Sequence, residues 1–241
     1  FVNRTMTSLV IIPTFNEKEN IENIIRAVFG LDEVFHVLIV DDGSPDGTAA
    51  IVKELQHEFT GKLHVLEREG KQGLGTAYIY GFKWGIKNDY DFIFEMDADF
   101  SHNPNDLPRL LHACREDGFG MAVGSRYCKG GRIENWPFTR WLMSYFASVY
   151  VRMILWIGIK DTTAGFACYQ RKVLEKIDLD NIWFIGYAFQ IEMKYSTLRL
   201  GFKIKEVPVT FTDRVLGQSK MDMSIFKEAF LGVLKLRGKK I

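Results

Sequence analysis

An α/β fold, with a mostly parallel central sheet and flanking helices, is what this 241-residue sequence predicts, on three observations. Short, nearly continuous apolar runs recur along the first half of the chain; the segments between them are long enough for a helix; and several runs end in a polar, turn-forming cluster. Apolar strands joined by helical crossovers are covered on both faces, the pattern of a parallel sheet. Ligands of such folds bind beyond the carboxyl ends of the strands. The polar clusters are therefore where chemistry is expected.

The first run, Leu9 to Ile12, ends in Pro13, Thr14, Phe15, Asn16 and Glu17. The proline fixes the exit of the chain, and the aromatic ring and carboxylate can grip a base by stacking and hydrogen bonding, or merely form a turn and a helix cap. Asn16, Glu17 and Glu19 precede Ile21, Ile24, Ile25 and Val28, an amphipathic helical pattern with acidic residues near its start. The second run, Val37 to Val40, meets Asp41 and Asp42 and a turn of Gly43, Ser44 and Pro45. A buried carboxylate there can accept from a base N–H or ribose hydroxyls, or simply cap the turn. Asp46-Gly47 opens a helix carrying Ala50, Ile51 and Leu55.

The third run, Leu63 to Leu66, leads to Gly70, Gly73 and Gly75 around Lys71, and then to a helix. Backbone N–H groups of such a loop can cradle phosphate. The spacing is neither GxGxxG nor GxxxxGK[ST], so neither dinucleotide nor P-loop chemistry is supported. The fourth run, Phe92 to Met96, is the most informative, because it ends in Asp97-Ala98-Asp99. Where a strand ends the backbone turns, so two carboxylates one residue apart can converge on a hard divalent cation and the phosphate oxygens it binds. A fifth run, Met121 to Val123, is followed by Arg126.

The second half is less regular. From Trp141 to Ile159 the chain is almost wholly apolar with one charge, Arg152, nearly long enough to span a bilayer. Arg140, Ser144, Ser148 and Arg152 recur every fourth residue and make one polar stripe on a helix. An arginine at mid-membrane costs about 3 kcal/mol even on translocon scales. An in-plane interfacial helix over residues 138–158 is the expectation, with a core helix of the domain as the alternative. Residues 221–241 read as a second amphipathic element, with Ile225, Phe226, Phe230, Val233 and Leu234 on one side. Lys235, Arg237, Lys239 and Lys240 give it a basic end suited to anionic lipid.

Composition sets bounds. Apolar residues make up 47% and charged residues 25%, as in an ordinary soluble domain, and 31 basic against 30 acidic side chains leave a net charge of +1. No nucleic-acid footprint follows from that balance. Three cysteines without a CxxC pair indicate neither a disulfide framework nor a zinc site; a reducing, cytoplasmic setting is expected. No internal repeat or linker divides the chain, so one domain over residues 1–241 is expected.

Taken in order, PTFNE, VDDGSPDGT, GKQGLGTA, DADFSH, GSRY and RVLGQSK resemble the motifs of glycosyltransferase family 2, and within it the polyprenol (dolichol) phosphate mannose synthases. The resemblance runs from about Leu9 to Lys220. It implies a GT-A fold and inverting transfer of mannose from GDP-mannose to a polyprenyl phosphate, with Mg2+ or Mn2+, by a peripheral enzyme at the cytoplasmic face of a membrane. It assigns Pro13, Phe15, Glu17, Asp41, Asp42, Lys71, Asp97 and Ala98 to the donor nucleotide, and Asp97 and Asp99 to the metal and diphosphate. It assigns Arg126, Arg140 and Ser144 to the acceptor phosphate, and Arg214, Ser219 and Lys220 to the diphosphate; Asp99, Arg126, Arg214 and Lys220 are its catalytic set. Where the family often has a glutamine two residues after the second aspartate, this chain has Ser101; a hydroxyl or a water would take that place. A polyprenyl phosphate glucosyltransferase, or another family 2 enzyme using a UDP-sugar, is the nearest rival.

Overall fold

The computed structural model describes residues 6–186, 188–213 and 232–239. A seven-stranded sheet has the order β3-β2-β1-β4-β7-β5-β8. Its strands are β1 (Ser8–Thr14), β2 (His36–Asp41), β3 (Leu63–Glu67), β4 (Phe92–Glu95), β5 (Met121–Ser125), β7 (Ala167–Gln170) and β8 (Ile204–Pro208). All pair in parallel except β7, which lies antiparallel between β4 and β5. A second sheet joins β6 (Arg132–Glu134) to β9 (Thr210–Thr212).

The five apolar runs are the first five strands of the main sheet in chain order, and their alternation builds two cores. Leu9 and Ile11 of β1 face one side, with Tyr78 and Phe82 of α3 (Leu74–Lys87), Val173 and Leu174 of α6 (Arg171–Lys176), and Phe189 and Met193 of α7 (Phe189–Arg199). Val10 and Ile12 face the other, with Ile21, Ile24, Ile25 and Val28 of α1 (Ile21–Phe29) and Leu107, Leu110 and Leu111 of α4 (Leu107–Arg115). Helix α3 approaches β1 so closely that a Cβ on Gly81 would stand 2.7 Å from Cγ2 of Ile11. In α2 (Thr48–Glu58) Leu55 is buried and Ile51 packs partly buried as read, but Ala50 is exposed and Ala49 and Val52 are buried instead.

Register brings the motifs together. Thr14 pairs with Asp41 across β1 and β2, and Ile11 pairs with Glu95 across β1 and β4. The loops after these three strands therefore open on the same edge of the sheet.

Helix α5 (Phe138–Leu155) stops three residues before the expected end, where Trp156 takes a left-handed conformation at φ 55°. Ser148, Val151 and Leu155 are buried, so the stripe of Arg140, Ser144 and Ser148 turns toward the body of the protein. The outward side presents Phe138, Leu142, Met143, Phe146 and Met153, with Trp156 82% exposed beyond it. Among the described residues no helix is long and apolar enough to cross a membrane. Residues 232–236 are helical, with Val233 and Leu236 buried. Leu234 is exposed, so it does not share the side of Val233 as expected. Ile225, Phe226 and Phe230 lie outside the described residues.

Candidate active site

At the carboxyl edge of β1, β2 and β4 lies a cleft of about 760 Å³. Pro13, Phe15, Glu17, Asp42 and Lys71 line one end, Asp97, Ala98, Asp99 and Ser101 its middle, and Arg126, Arg140 and Ser144 the side next to α5. Twelve residues scattered over the first two-thirds of the sequence thus share one cavity. Arg214, Ser219 and Lys220 lie outside the described residues.

The Asp41/Asp42 pair divides, because successive side chains at a strand end point to opposite sides. Asp41 is buried and does not reach the cleft. Its carboxylate accepts from Thr14 Oγ1 at 2.8 Å and from the backbone N–H and Oγ of Ser44 at 2.8 and 2.6 Å. Ser44 Oγ in turn accepts from the Asn16 N–H at 2.9 Å. This chain of bonds ties the first two loops together and holds Asn16 at φ 58°, a left-handed conformation that asparagine tolerates. In this structure Asp41 braces the two loops, and it is Asp42 of the pair that lines the cleft. Asp42 does line the cleft, and it is paired with Arg68 Nε at 2.7 Å. Arg68 also donates to Thr76 Oγ1 at 2.8 Å, linking the glycine-rich loop to β2. Lys71 Nζ sits 5.4 Å above the Phe15 ring, so these two side chains face each other across the mouth.

Asp97 is partly exposed to the cleft and accepts from the buried Tyr78 hydroxyl at 3.2 Å. Asp99 Oδ1 accepts from the Ser101 N–H at 3.0 Å. Among the described residues no cluster of three His, Cys, Asp or Glu side chains would hold a metal by itself. Two aspartates on one cleft wall suit a hard cation that would take its remaining ligands from substrate phosphate oxygens and water. The residues present fit Mg2+ or Mn2+ held in that shared way.

Arg126 is largely buried against Asp161, with Nε and Nη2 donating at 2.7 Å to its two carboxylate oxygens and Nη2 also reaching Thr163 Oγ1 at 2.9 Å. Burial alone would raise Asp161; the Arg126 guanidinium holds it below the usual carboxylate range. The fork expected to bind an anion is thus closed on a carboxylate. Arg140 is more open. Its Nη1 donates to Asp213 at 2.8 Å, and its guanidinium lies 4.2 Å from the Trp136 ring centre.

Sequence reasoning missed Arg68, Trp136, His102, Asp161, Gln190 and Lys194. His102 lines the cleft, stacked on Phe166 with centroids 4.9 Å apart. Burial pushes its imidazole down to about 4. A histidine whose folded pKa is depressed contributes stability that is present above its unfolded value of about 6.5 and is lost as pH falls toward 4. That contribution is about 3 kcal/mol. In metal-free protein, unfolding free energy measured in urea should fall between pH 6.5 and 4, and His102→Phe should flatten that part of the profile.

Below the cleft floor Glu95 and Lys194 are both fully buried. Burial raises the Glu95 carboxyl and lowers the Lys194 ammonium, and their mutual attraction opposes both shifts. Lys194 Nζ donates to the carbonyls of Ala164 at 2.6 Å and Gln190 at 3.2 Å. Gln190 and Tyr169 lie near enough to Glu95 to lower its carboxyl, and Glu95 raises the Tyr169 hydroxyl, yet these polar atoms do not reach full hydrogen-bond geometry.

The profile of the family described as "Glycosyl transferase family 2" matches residues 9–178. The chain belongs to glycosyltransferase family 2. It is 47% identical over 240 residues to the polyprenol monophosphomannose synthase of Mycolicibacterium smegmatis, covering 99% of this chain and 90% of that one. It is 44% identical over 230 residues to the undecaprenyl-phosphate mannosyltransferase of Micrococcus luteus, covering 95% and 93%. Among solved structures, glucosyl-3-phosphoglycerate synthase from Mycobacterium tuberculosis, in complex with Mn2+, UDP-glucose and glycerol 3-phosphate, matches with TM-score 0.67 at 18% identity over 98% of this chain and 82% of that one. A mannosyltransferase from Pyrobaculum calidifontis in complex with GDP-Man and Mn2+ matches with TM-score 0.61 at 17% identity, over 98% and 64%. These likenesses give the family 2 enzyme the GT-A fold expected of it.

Proposed function

We propose that this chain transfers mannose, with inversion, from GDP-mannose to a polyprenyl phosphate at a membrane surface, on its cytoplasmic face. One observation carries the reading: a single cleft joins an aspartate pair, the loops after β1 and β2, and the inward polar edge of a helix whose outward edge is apolar. The two close relatives are named for mannosyl transfer to, or synthesis of, a polyprenyl phosphate product.

The chemistry asks little proton transfer of the protein. A lipid phosphate is already an anion at neutral pH, so its oxygen attacks the anomeric carbon while the bond from that carbon to the diphosphate oxygen breaks and GDP leaves. Two anionic partners must be brought together, and positioned charges do this. A bound Mg2+ or Mn2+ would neutralise the departing diphosphate. Asp97 and Asp99 hold that position; Phe15, Glu17, Asp42 and Lys71 grip the nucleoside end. Arg140 and Ser144, on the cleft side of α5, receive the acceptor phosphate while Leu142 and Met153 lie in the bilayer surface. Arg214, Ser219 and Lys220 complete the diphosphate contacts by resemblance.

Titration calorimetry tests the donor and metal together. GDP should bind about tenfold or more tightly with Mn2+ or Mg2+ than with EDTA, a difference of at least ~1.4 kcal/mol, because the aspartate pair otherwise faces the diphosphate as like charge. Clear preference for UDP over GDP would transfer the reading to the glucosyltransferase rival.

A further inference from the structure

Gln190 is 3% exposed and lines the cleft; neither its Oε1 nor its Nε2 has a partner of full hydrogen-bond geometry, and the Glu95 carboxyl lies close enough to be lowered by it. A buried amide in that state is costly unless something else completes it. Its surroundings say what. The residue sits in the first turn of α7, fixed from below by Lys194, which donates to the Gln190 carbonyl and to Ala164 on the facing wall. Beside it, Gly165 leaves space: a Cβ there would stand 3.7 Å from Gln190 Nε2. The neighbouring Phe189 ring lies parallel to Tyr78, centroids 6.1 Å apart, and the Tyr78 hydroxyl donates to Asp97. The amide is therefore coupled by packing to the aspartate pair, and it belongs to neither the nucleoside loops after β1 and β2 nor to α5.

A phosphate is a poor fit for this place. The Glu95 carboxyl is a close polar neighbour of the amide, and among the described residues the nearby Lys194 donates to two backbone carbonyls. A hydroxyl fits well. An amide offers an acceptor oxygen and a donor N–H₂ side by side, which matches hydroxyls that both give and take a hydrogen bond. A sugar ring held between a metal-bound diphosphate and an incoming acceptor must lie near Asp97.

We propose that Gln190 is a specificity-determining residue that hydrogen-bonds hydroxyl groups of the donor hexose. This rests on the proposed function, whose donor it deepens. A site built to pair a hydroxyl loses far more when the pair is broken than one that merely accommodates it.

Calorimetry of wild type and Gln190→Met, with Mn2+ present, uses GDP, GDP-mannose and monodeoxy GDP-mannoses as probes. The variant should bind GDP within about 3-fold of wild type, which also reports that it is folded, and bind GDP-mannose about 30-fold more weakly. One deoxy analogue should bind wild type as weakly as the variant binds GDP-mannose, and the variant should not distinguish the two sugars. GDP-mannose affinity within 3-fold of wild type, or equal weakening of GDP and GDP-mannose, overturns the assignment. Failure of wild type to bind GDP or GDP-mannose at all overturns the donor reading, and Gln190's role with it.

Discussion

Replacing Asp99 by alanine should abolish transfer while leaving the fold in place. Asp99 stands just past the end of β4 with Oδ1 fixed by the Ser101 N–H, so its carboxylate is oriented before any cation arrives. Preorganised charge at a leaving group is the largest single contribution available to this reaction. With Asp97 as the other proposed ligand, losing Asp99 would halve the protein's proposed share of the cation's ligands. A fall in kcat/KM of about 1000-fold or more, some 4 kcal/mol of transition-state stabilisation, is expected. Asp97 remains to bind metal weakly, so high Mn2+ should restore a small part of GDP affinity but little turnover. Near-normal turnover of the purified variant without added metal would remove the aspartates from the reaction.

How much of this was legible in the sequence depends on how local each cause is. Strand ends are local: a continuous apolar run followed by turn residues places Pro13, Asp42 and Asp97 on one edge without knowledge of any distant contact. The inward turn of the α5 stripe is local too, because a four-residue repeat of polar side chains defines one helix face. The split of Asp41 from Asp42 is not. Which of two adjacent carboxylates braces and which faces ligand is decided by Thr14 and Ser44 from neighbouring loops. Strand β7 was illegible for a related reason. Its four residues, Ala167–Gln170, carry no alternation, and only pairing with β4 and β5 makes them a strand. Gln190 could be found only once the fold showed its amide buried on the cleft wall without a partner of full hydrogen-bond geometry.

The two arginines assigned together by resemblance should behave differently. Arg126→Ala leaves Asp161, fully buried, without its guanidinium; removing one partner of a buried pair costs about 3–5 kcal/mol. The expected result is a large loss of stability in chemical denaturation, partly recovered by adding Asp161→Asn. Arg140→Ala breaks a half-open pair with Asp213, each about one-third exposed or slightly less, and such pairs contribute at most about 1 kcal/mol. Its cost should fall on the reaction instead. Arg140 starts α5 on the cleft side, beside Ser144 and next to the apolar outward face, where a phosphate carried by a lipid tail would enter. Loss of a charge-assisted contact there should lower turnover of polyprenyl phosphate by roughly 30-fold to 1000-fold, or about 2–4 kcal/mol. Affinity for GDP-mannose should stay near that of wild type, since the proposed nucleoside contacts lie on the loops after β1 and β2. Measuring both numbers for Arg140→Ala separates the outcomes: weakened GDP-mannose binding with unchanged acceptor dependence would put Arg140 on the donor, and no change in either would leave it as the surface partner of Asp213.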